Sequence, residues 1–243
     1  MPDFKVVLVE PEHPHNVGFV ARAMRANALT ELRIVYSGRT EVMKESYRTA
    51  HNASEILGGA QVFHALGEAL ADCQFSVAFS RRVFNCLLSH VMLPDLVPHL
   101  PAAGNVALVF GRESRGLFVT EVNLCSLVCE IPVPGLMSLN LAQAASVAFY
   151  ELCRTLGNGS AFHAKAAPGE LPANSAQIET FIEFLRARLG ERYKNRSYTD
   201  AFVRKVMQRM QPSKDELDAM FGLARSLSGS FARNERKRLP NQK

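Results

Sequence analysis

The run Val106-Ala-Leu-Val-Phe110-Gly-Arg-Glu113-Ser-Arg-Gly-Leu117 joins five apolar residues to a polar turn bracketed by glycines. An uninterrupted apolar run of that length suits a parallel strand buried on both faces. Two more junctions of the same kind exist. Asn16-Val-Gly-Phe-Val-Ala-Arg22-Ala follows the strand-like Phe4–Val9, and Ile131-Pro132 with Ser138-Leu-Asn140-Leu-Ala follows Leu127–Ile131. Open α/β sheets bind ligands outside the carboxyl ends of their strands. Three polar junctions in this order therefore read as an active site built along one edge of a parallel sheet.

The surrounding pattern supports that reading. Leu32–Val35, Gln61–His64 and Phe75–Phe79 are further strand candidates, and helical spacing marks Val17–Ala28, Glu45–Leu57 and Leu141–Leu156. Gly58-Gly59 supplies a helix stop. Strands alternating with helices predict an α/β domain with a parallel sheet covered on both faces. The domain is expected to fill residues 1–157. Gly, Ser, Pro and Ala dominate 158–174, which reads as a linker. Residues 175–243 carry only helical patterns. Ile178, Phe181, Ile182, Leu185 and Leu189 recur at helical spacing, and Ser213-Lys-Asp-Glu216 is a capping box opening another helix. The charged tail from Arg233 to Arg238 is expected to fray.

The chain has 243 residues and a net charge of +5. The basic excess is confined to residues 176–243, where 15 Lys and Arg face 8 Asp and Glu. Such asymmetry points to a polyanionic partner, with Arg186, Arg188, Arg192, Lys194, Arg196, Arg204 and Lys205 as candidate contacts. The five cysteines show no Cys-x-x-Cys pair and irregular spacing, which argues against a disulfide framework. No run approaches the roughly 18 apolar residues of a spanning helix, and no signal-peptide pattern opens the chain. The expectation is a soluble cytoplasmic protein with no membrane partner.

Familiar ligand motifs fail on their details. Gly111 and Gly116 stand at P-loop spacing, but Leu117-Phe118 occupies the place of Lys-Ser/Thr. No Gly-x-Gly-x-x-Gly follows the first strand. His13 and His15, beside Glu10 and Glu12, lack a distant ligand pair, so no metal site is expected.

The three junctions taken together resemble the SpoU branch of the SPOUT RNA methyltransferases, and within it the TrmJ-type enzymes that methylate the ribose 2′-oxygen of nucleotide 32 in the tRNA anticodon loop. Asn16-x-Gly-x-x-Ala-x-Arg22 is similar to the family's first motif, Phe110-Gly-Arg-Glu113-x-x-Gly-Leu117 to the second, and Ile131-Pro132 with Ser138-Leu-Asn140-Leu-Ala to the third. The likeness covers residues 4–156 and extends more weakly to Val206–Ala224. It implies a trefoil knot in the last part of the α/β domain, a homodimer, and S-adenosylmethionine as cofactor.

The same resemblance implies site residues. Arg22, Asn16, Glu113, Ser138 and Asn140 would be catalytic, with Arg22 either a base or a group that orients the ribose hydroxyl and a neighbouring phosphate. Asn16, Ser138 and Asn140 would fix Arg22 and the ribose, and Glu113 would hold a hydroxyl or a cation. Cofactor contacts fall on Phe79, Ser80, Arg81, Gly111, Ile131, Met137, Ser138 and Leu139. Read without the resemblance, Arg22 is a surface arginine, Glu113 a loop ion pair, and Ser138 or Asn140 an N-cap for the Leu141 helix. The implied activity is methylation of RNA, tRNA first. The alternatives are an rRNA enzyme and a catalytically silent RNA-binding protein on the same fold.

Overall fold

A computed structural model describes residues 2–38, 42–82, 88–135, 138–157, 171–189 and 196–238. In chain order the elements are β1 (Asp3–Val9), α1 (Pro14–Ala26), β2 (Glu31–Val35), α2 (Tyr47–Ala50), α3 (Ser54–Gly58), β3 (Gln61–Phe63), α4 (Leu66–Ala69), β4 (Phe75–Phe79), β5 (Ser89–Met92), β6 (Asn105–Phe110), α5 (Val119–Val122), β7 (Leu127–Glu130), α6 (Leu141–Gly157), α7 (Ser175–Leu189), α8 (Arg196–Met210) and α9 (Lys214–Arg238).

The strands form one sheet in the order β3-β2-β1-β6-β4-β7-β5. Every pairing is parallel, as the apolar runs predicted. Register places Phe110 opposite both Leu8 and Phe79, and Phe79 opposite Cys129. The carboxyl ends of β1, β6, β4 and β7 thus stand side by side, and the three polar junctions leave from one edge.

Both faces of the sheet are buried. One packs Val6, Leu8, Leu108 and Phe110 against α1, α3 and α6. The other packs Val7, Val9, Ala107 and Val109 against α4 and the residues around α5. Phe110 stacks on Phe79 with centroids 4.5 Å apart and meets Phe149 of α6 edge-on at 5.9 Å. These rings make a rigid floor directly beneath the loops that follow β4 and β6.

Helices α7 to α9 bury a core of their own around Ile178, Phe181, Ile182, Met207 and Leu217. The capping box opens α9 as expected: the Ser213 amide donates to Glu216, and the Glu216 amide donates to Ser213 Oγ at 3.2 Å. This segment docks on the α/β domain through backbone bonds. The amides of Ser175 and Ala176 donate to the carbonyls of Cys73 and Ala71. Orphan amides at a helix start thereby find acceptors just before β4, at the end of the sheet opposite the polar junctions.

Several expectations are corrected. The single helix expected over Glu45–Leu57 is broken into short turns, with His51 at φ +48°. The segment packs tightly on α1, where a Cβ on Gly18 would lie 2.1 Å from the Ser46 carbonyl oxygen. The strand β5 was not anticipated. Residues 233–238 continue α9 rather than fray. Two of the candidate polyanion contacts also pair within the helical segment: Arg204 with Glu179 at 2.6 and 2.9 Å, and Arg186 with Asp200. Arg192, Lys194 and most of the linker lie outside the described residues.

Candidate active site

The loop after β1 turns sharply through Glu10, held at φ +48°. Pro14 then starts α1, a position where its missing amide hydrogen costs nothing. His13, at the N-cap, makes no side-chain cap. The cap comes from elsewhere. Glu113, on the loop after β6, accepts the backbone amides of Glu12 at 2.8 Å and His13 at 3.3 Å, and the Asn16 side-chain amide at 2.8 Å. Glu12 returns the grip, accepting the Ser114 amide at 2.9 Å and the Ser114 hydroxyl. The Ser114 hydroxyl and amide hold the Glu12 carboxyl below its ordinary value. A carboxylate at a helix N-terminus is favoured by the orphan amides and the helix dipole together.

The third junction joins through Asn16. Its side-chain oxygen accepts from Asn140 Nδ2 at 3.2 Å, while Asn140 Oδ1 caps α6 by accepting the Ala142 amide at 2.9 Å. Gln143 completes the cap by accepting the Asn140 amide at 3.3 Å. The chain Glu113–Asn16–Asn140 thus ties together three segments separated by up to 124 residues. Asn140 is the N-cap that local reading allowed, and it is a bridge as well. Among the described residues Glu113 makes no ion pair; its oxygens accept three N–H donors, two on Oε1 and one on Oε2.

Next to this junction lies a cleft of roughly 760 Å³ over the aromatic floor. Phe79, Ser80 and Arg81 line it from the loop after β4, Gly111 from that after β6, and Ile131, Ser138 and Leu139 from that after β7. These are seven of the eight expected cofactor contacts. Met137 lies outside the described residues. Phe79 contributes mainly the floor, being 8% exposed and stacked on Phe110. Gly111 is required by space, because a Cβ there would sit 2.3 Å from the Gly116 carbonyl carbon and 2.4 Å from the Leu117 nitrogen. Gly116 itself is at φ +62°, a conformation that suits glycine.

Charge in the cleft is one-sided. Among the described residues that line it, Arg81, Arg82, Arg112 and Arg115 face one acidic side chain, Glu113. Arg112 is held by Glu121 at 3.0 Å and lies over the Phe118 ring at 4.2 Å. Arg81 approaches Glu130 at 3.6 Å. Glu12, Arg82, Arg112 and Arg115 were not singled out as functional from sequence. The signal was present in four arginines within the two loops, but spacing alone cannot say that they face one cavity.

Arg22 is not brought to this cleft. It is exposed on α1 and makes no hydrogen bond or ion pair among the described residues. Six residues separate it from Asn16, which turns it about 120° around the helix. It shares its face with Phe19, which is 44% exposed. α1 packs on α6, whose Val147 and Tyr150 are also exposed, Tyr150 at 63%. Among the described residues, no group of three or more His, Cys, Asp or Glu could hold a metal ion, and no helix is long and apolar enough to cross a membrane. Cys73, Cys125, Cys129 and Cys153 are unpaired, and burial pushes the first three thiols up to about 12.

Comparison with known proteins places this architecture. Residues 3–150 match the model of the SpoU rRNA Methylase family. A tRNA (cytidine/uridine-2′-O-)-methyltransferase TrmJ of Salmonella typhimurium is 31% identical over 244 residues, covering 93% of this chain and 97% of its own. The crystal structure of TrmJ from Z. mobilis superposes with a TM-score of 0.76 at 26% identity, covering 93% of this chain and 99% of that one. A structure described as giving insight into 2-OH methylation of C/U34 on tRNA superposes with a TM-score of 0.51 at 30% identity, covering 63% of this chain and 96% of that one.

Proposed function

The chain belongs to the SpoU rRNA Methylase family, among the TrmJ-type RNA 2′-O-methyltransferases, and from that premise we propose that it methylates a ribose 2′-hydroxyl of a tRNA anticodon loop, at nucleotide 32, with S-adenosylmethionine as donor. The observation that carries this reading is the Glu113–Asn16–Asn140 relay, which gathers the three motifs at the mouth of one cleft.

The cleft fits the cofactor. Its volume is in the usual range for small-molecule sites, and the cradle at Gly111 is closed to any side chain. Phe79, Ser80, Gly111, Ile131, Met137, Ser138 and Leu139 would hold it, largely through backbone groups, and Arg81 would stand at its edge. When bound, the cofactor supplies a methyl group already activated on a sulfonium, so no metal is called for.

The protein's own task is to position and desolvate a weak nucleophile. Positioning alone supplies a large part of such a barrier reduction. Arg22 is assigned to that task as an orienting group. A guanidinium has no accessible neutral form and only donates, so it polarises the ribose hydroxyl and neutralises an adjacent phosphate, while the hydroxyl proton passes to water as the oxygen–methyl bond forms and the sulfonium–methyl bond breaks. Ser138 is free among the described residues to meet the ribose.

Arg22 lies away from its own cleft, and a homodimer explains why. Phe19, Val147 and Tyr150 present exposed apolar groups on the packed pair α1 and α6. Pairing this face with a second copy buries them and carries Arg22 toward the partner's cleft. The interleaving of β6 between β1 and β4, and of β7 between β4 and β5, is consistent with the expected trefoil knot.

Nucleotide 34 is the second reading, favoured by the structural neighbour concerned with C/U34. That neighbour covers 63% of this chain, whereas the Salmonella and Z. mobilis proteins cover 93%. Neither of those two names a nucleotide; the reading at 32 rests on the resemblance of the three motifs to the TrmJ-type enzymes. Mapping 2′-O-methylation in RNA from cells with and without the gene decides among tRNA nucleotide 32, nucleotide 34 and rRNA. Loss of no ribose methyl in either RNA class refutes the assignment.

A further inference from the structure

Phe118 sits at the N-cap of α5 with φ −80° and ψ 159° and makes no side-chain cap. That position favours Ser, Thr, Asp or Asn, whose oxygens accept the first amides of the helix. Here Glu121 does part of that work by accepting the Phe118 amide at 2.7 Å. The ring is left 41% exposed, and the neighbouring Val119 is 50% exposed, while Leu117 immediately before them is fully buried. A large apolar ring therefore stands in water at a place where a small polar residue would serve the helix better.

The ring is also fixed. The Arg112 guanidinium carbon lies 4.2 Å from its centroid, and Arg112 is itself held by Glu121 at 3.0 Å. One flat cation and one flat ring are thus stacked and locked before any ligand arrives, which lowers the ordering cost of binding. Arg112 lines the cleft and carries the Phe118 ring on its guanidinium, so the ring lies one side chain away from the cleft. Arg82 and Arg115 make no side-chain ion pair among the described residues.

We infer that Phe118, braced by Arg112, is a stacking platform for an unpaired nucleobase flanking the methylated nucleotide, with Arg115 receiving the adjoining phosphate. The inference rests on the RNA-methylating reading above. Sequence-tolerant recognition of unpaired nucleotides works through such pairs, with bases stacking on aromatic rings and guanidinium planes while cations follow the backbone. Removing one stacked base contact weakens binding by about fivefold to a hundredfold.

Phe118→Ser tests this cleanly, because serine restores the favoured cap and the fold is kept. The full chain is titrated with tRNA carrying 2-aminopurine beside the methylated nucleotide. Wild-type protein and Phe118→Tyr should quench the fluorophore. Phe118→Ser should lose the quench and bind tRNA about tenfold more weakly, with cofactor affinity and melting temperature no lower than wild type. Equal tRNA affinity and equal quenching in Phe118→Ser overturn the inference. So does dissociation of a dimer by this variant, which assigns the ring to a protein contact. Wild-type protein that methylates no RNA strikes the underlying reading instead.

Discussion

Glu113→Gln is the most telling perturbation of the clamp between the motifs. The carboxylate accepts three N–H donors, two on one oxygen and one on the other. Glutamine keeps one carbonyl oxygen, which can still serve Asn16 and His13. Its amide then meets the Glu12 amide donor to donor. An orphaned donor costs about 1–3 kcal/mol when buried. The Glu12 contact is exposed, so water can reach the orphaned amide, and the loss is that of one solvent-reachable bond to a charged group, about 1–2 kcal/mol. For a domain of this size that lowers the melting temperature by roughly 2–8 °C. Turnover should suffer more than stability. Asn16, 8% exposed, is held between Glu113 and Asn140, and a loosened Asn16 releases the start of α1. A fall in kcat of about tenfold or more is expected. A cycle with Asn16→Ala should be non-additive by at least about 0.5 kcal/mol, because both changes break one network. Differential scanning calorimetry and single-turnover methylation measure the two quantities. Wild-type melting with additive effects on turnover would refute the clamp.

Arg22→Ala should cut kcat by about a hundredfold or more while calorimetry shows unchanged cofactor affinity, and Arg22→Lys should not rescue it because lysine lacks the planar fork. Tyr150→Glu should shift a dimer to monomer in sedimentation velocity and abolish turnover; a monomer with wild-type kcat would remove the shared-site explanation of Arg22. Asp72 is held below the usual carboxylate range by the Arg33 guanidinium, so its contribution is present above about pH 4 and lost as pH falls through its lowered folded value. The turn it fixes receives the first amides of α7, so acid below pH 4 should expose 171–238 to proteolysis, and Asp72→Asn should flatten that pH dependence.

The sheet was legible because its strands are apolar on both faces. Val6 to Val9 and Val106 to Phe110 are each 2% exposed or less, and such runs need no neighbour to be read. β5 escaped for the converse reason. Ser89-His-Val-Met92 is an edge strand, mostly exposed and paired only to β7, so it carries neither an apolar run nor alternation. α1 begins at Pro14, three residues before the Val17 that helical spacing marks, because proline suits a first turn that the apolar periodicity does not reach. The break at His51, φ +48°, and the tight seat of Ser46–Ala50 on Gly18 are tertiary facts that propensity cannot contain.

The site shows the same division more sharply. Which residues matter could be read from three motifs, since their types and order are in the chain. What each does depends on which donors face it. Glu113 looks like a cation holder in sequence because a carboxylate in a loop among arginines invites a salt bridge. In space its oxygens are taken by the amides of Glu12, His13 and Asn16, and the arginines are left to the cleft. That exchange has a physical consequence. Glu113 keeps its charge at the cleft, and with Glu121 on Arg112 and Glu130 near Arg81 the cations that make no side-chain ion pair among the described residues are Arg82 and Arg115. The cleft therefore holds a cationic rim beside the site proposed for a cationic sulfonium. Such a rim disfavours the cofactor alone and becomes favourable once a phosphate backbone lies across it. On this view the arginines are placed for the RNA, and cofactor and RNA affinity should be positively coupled through them.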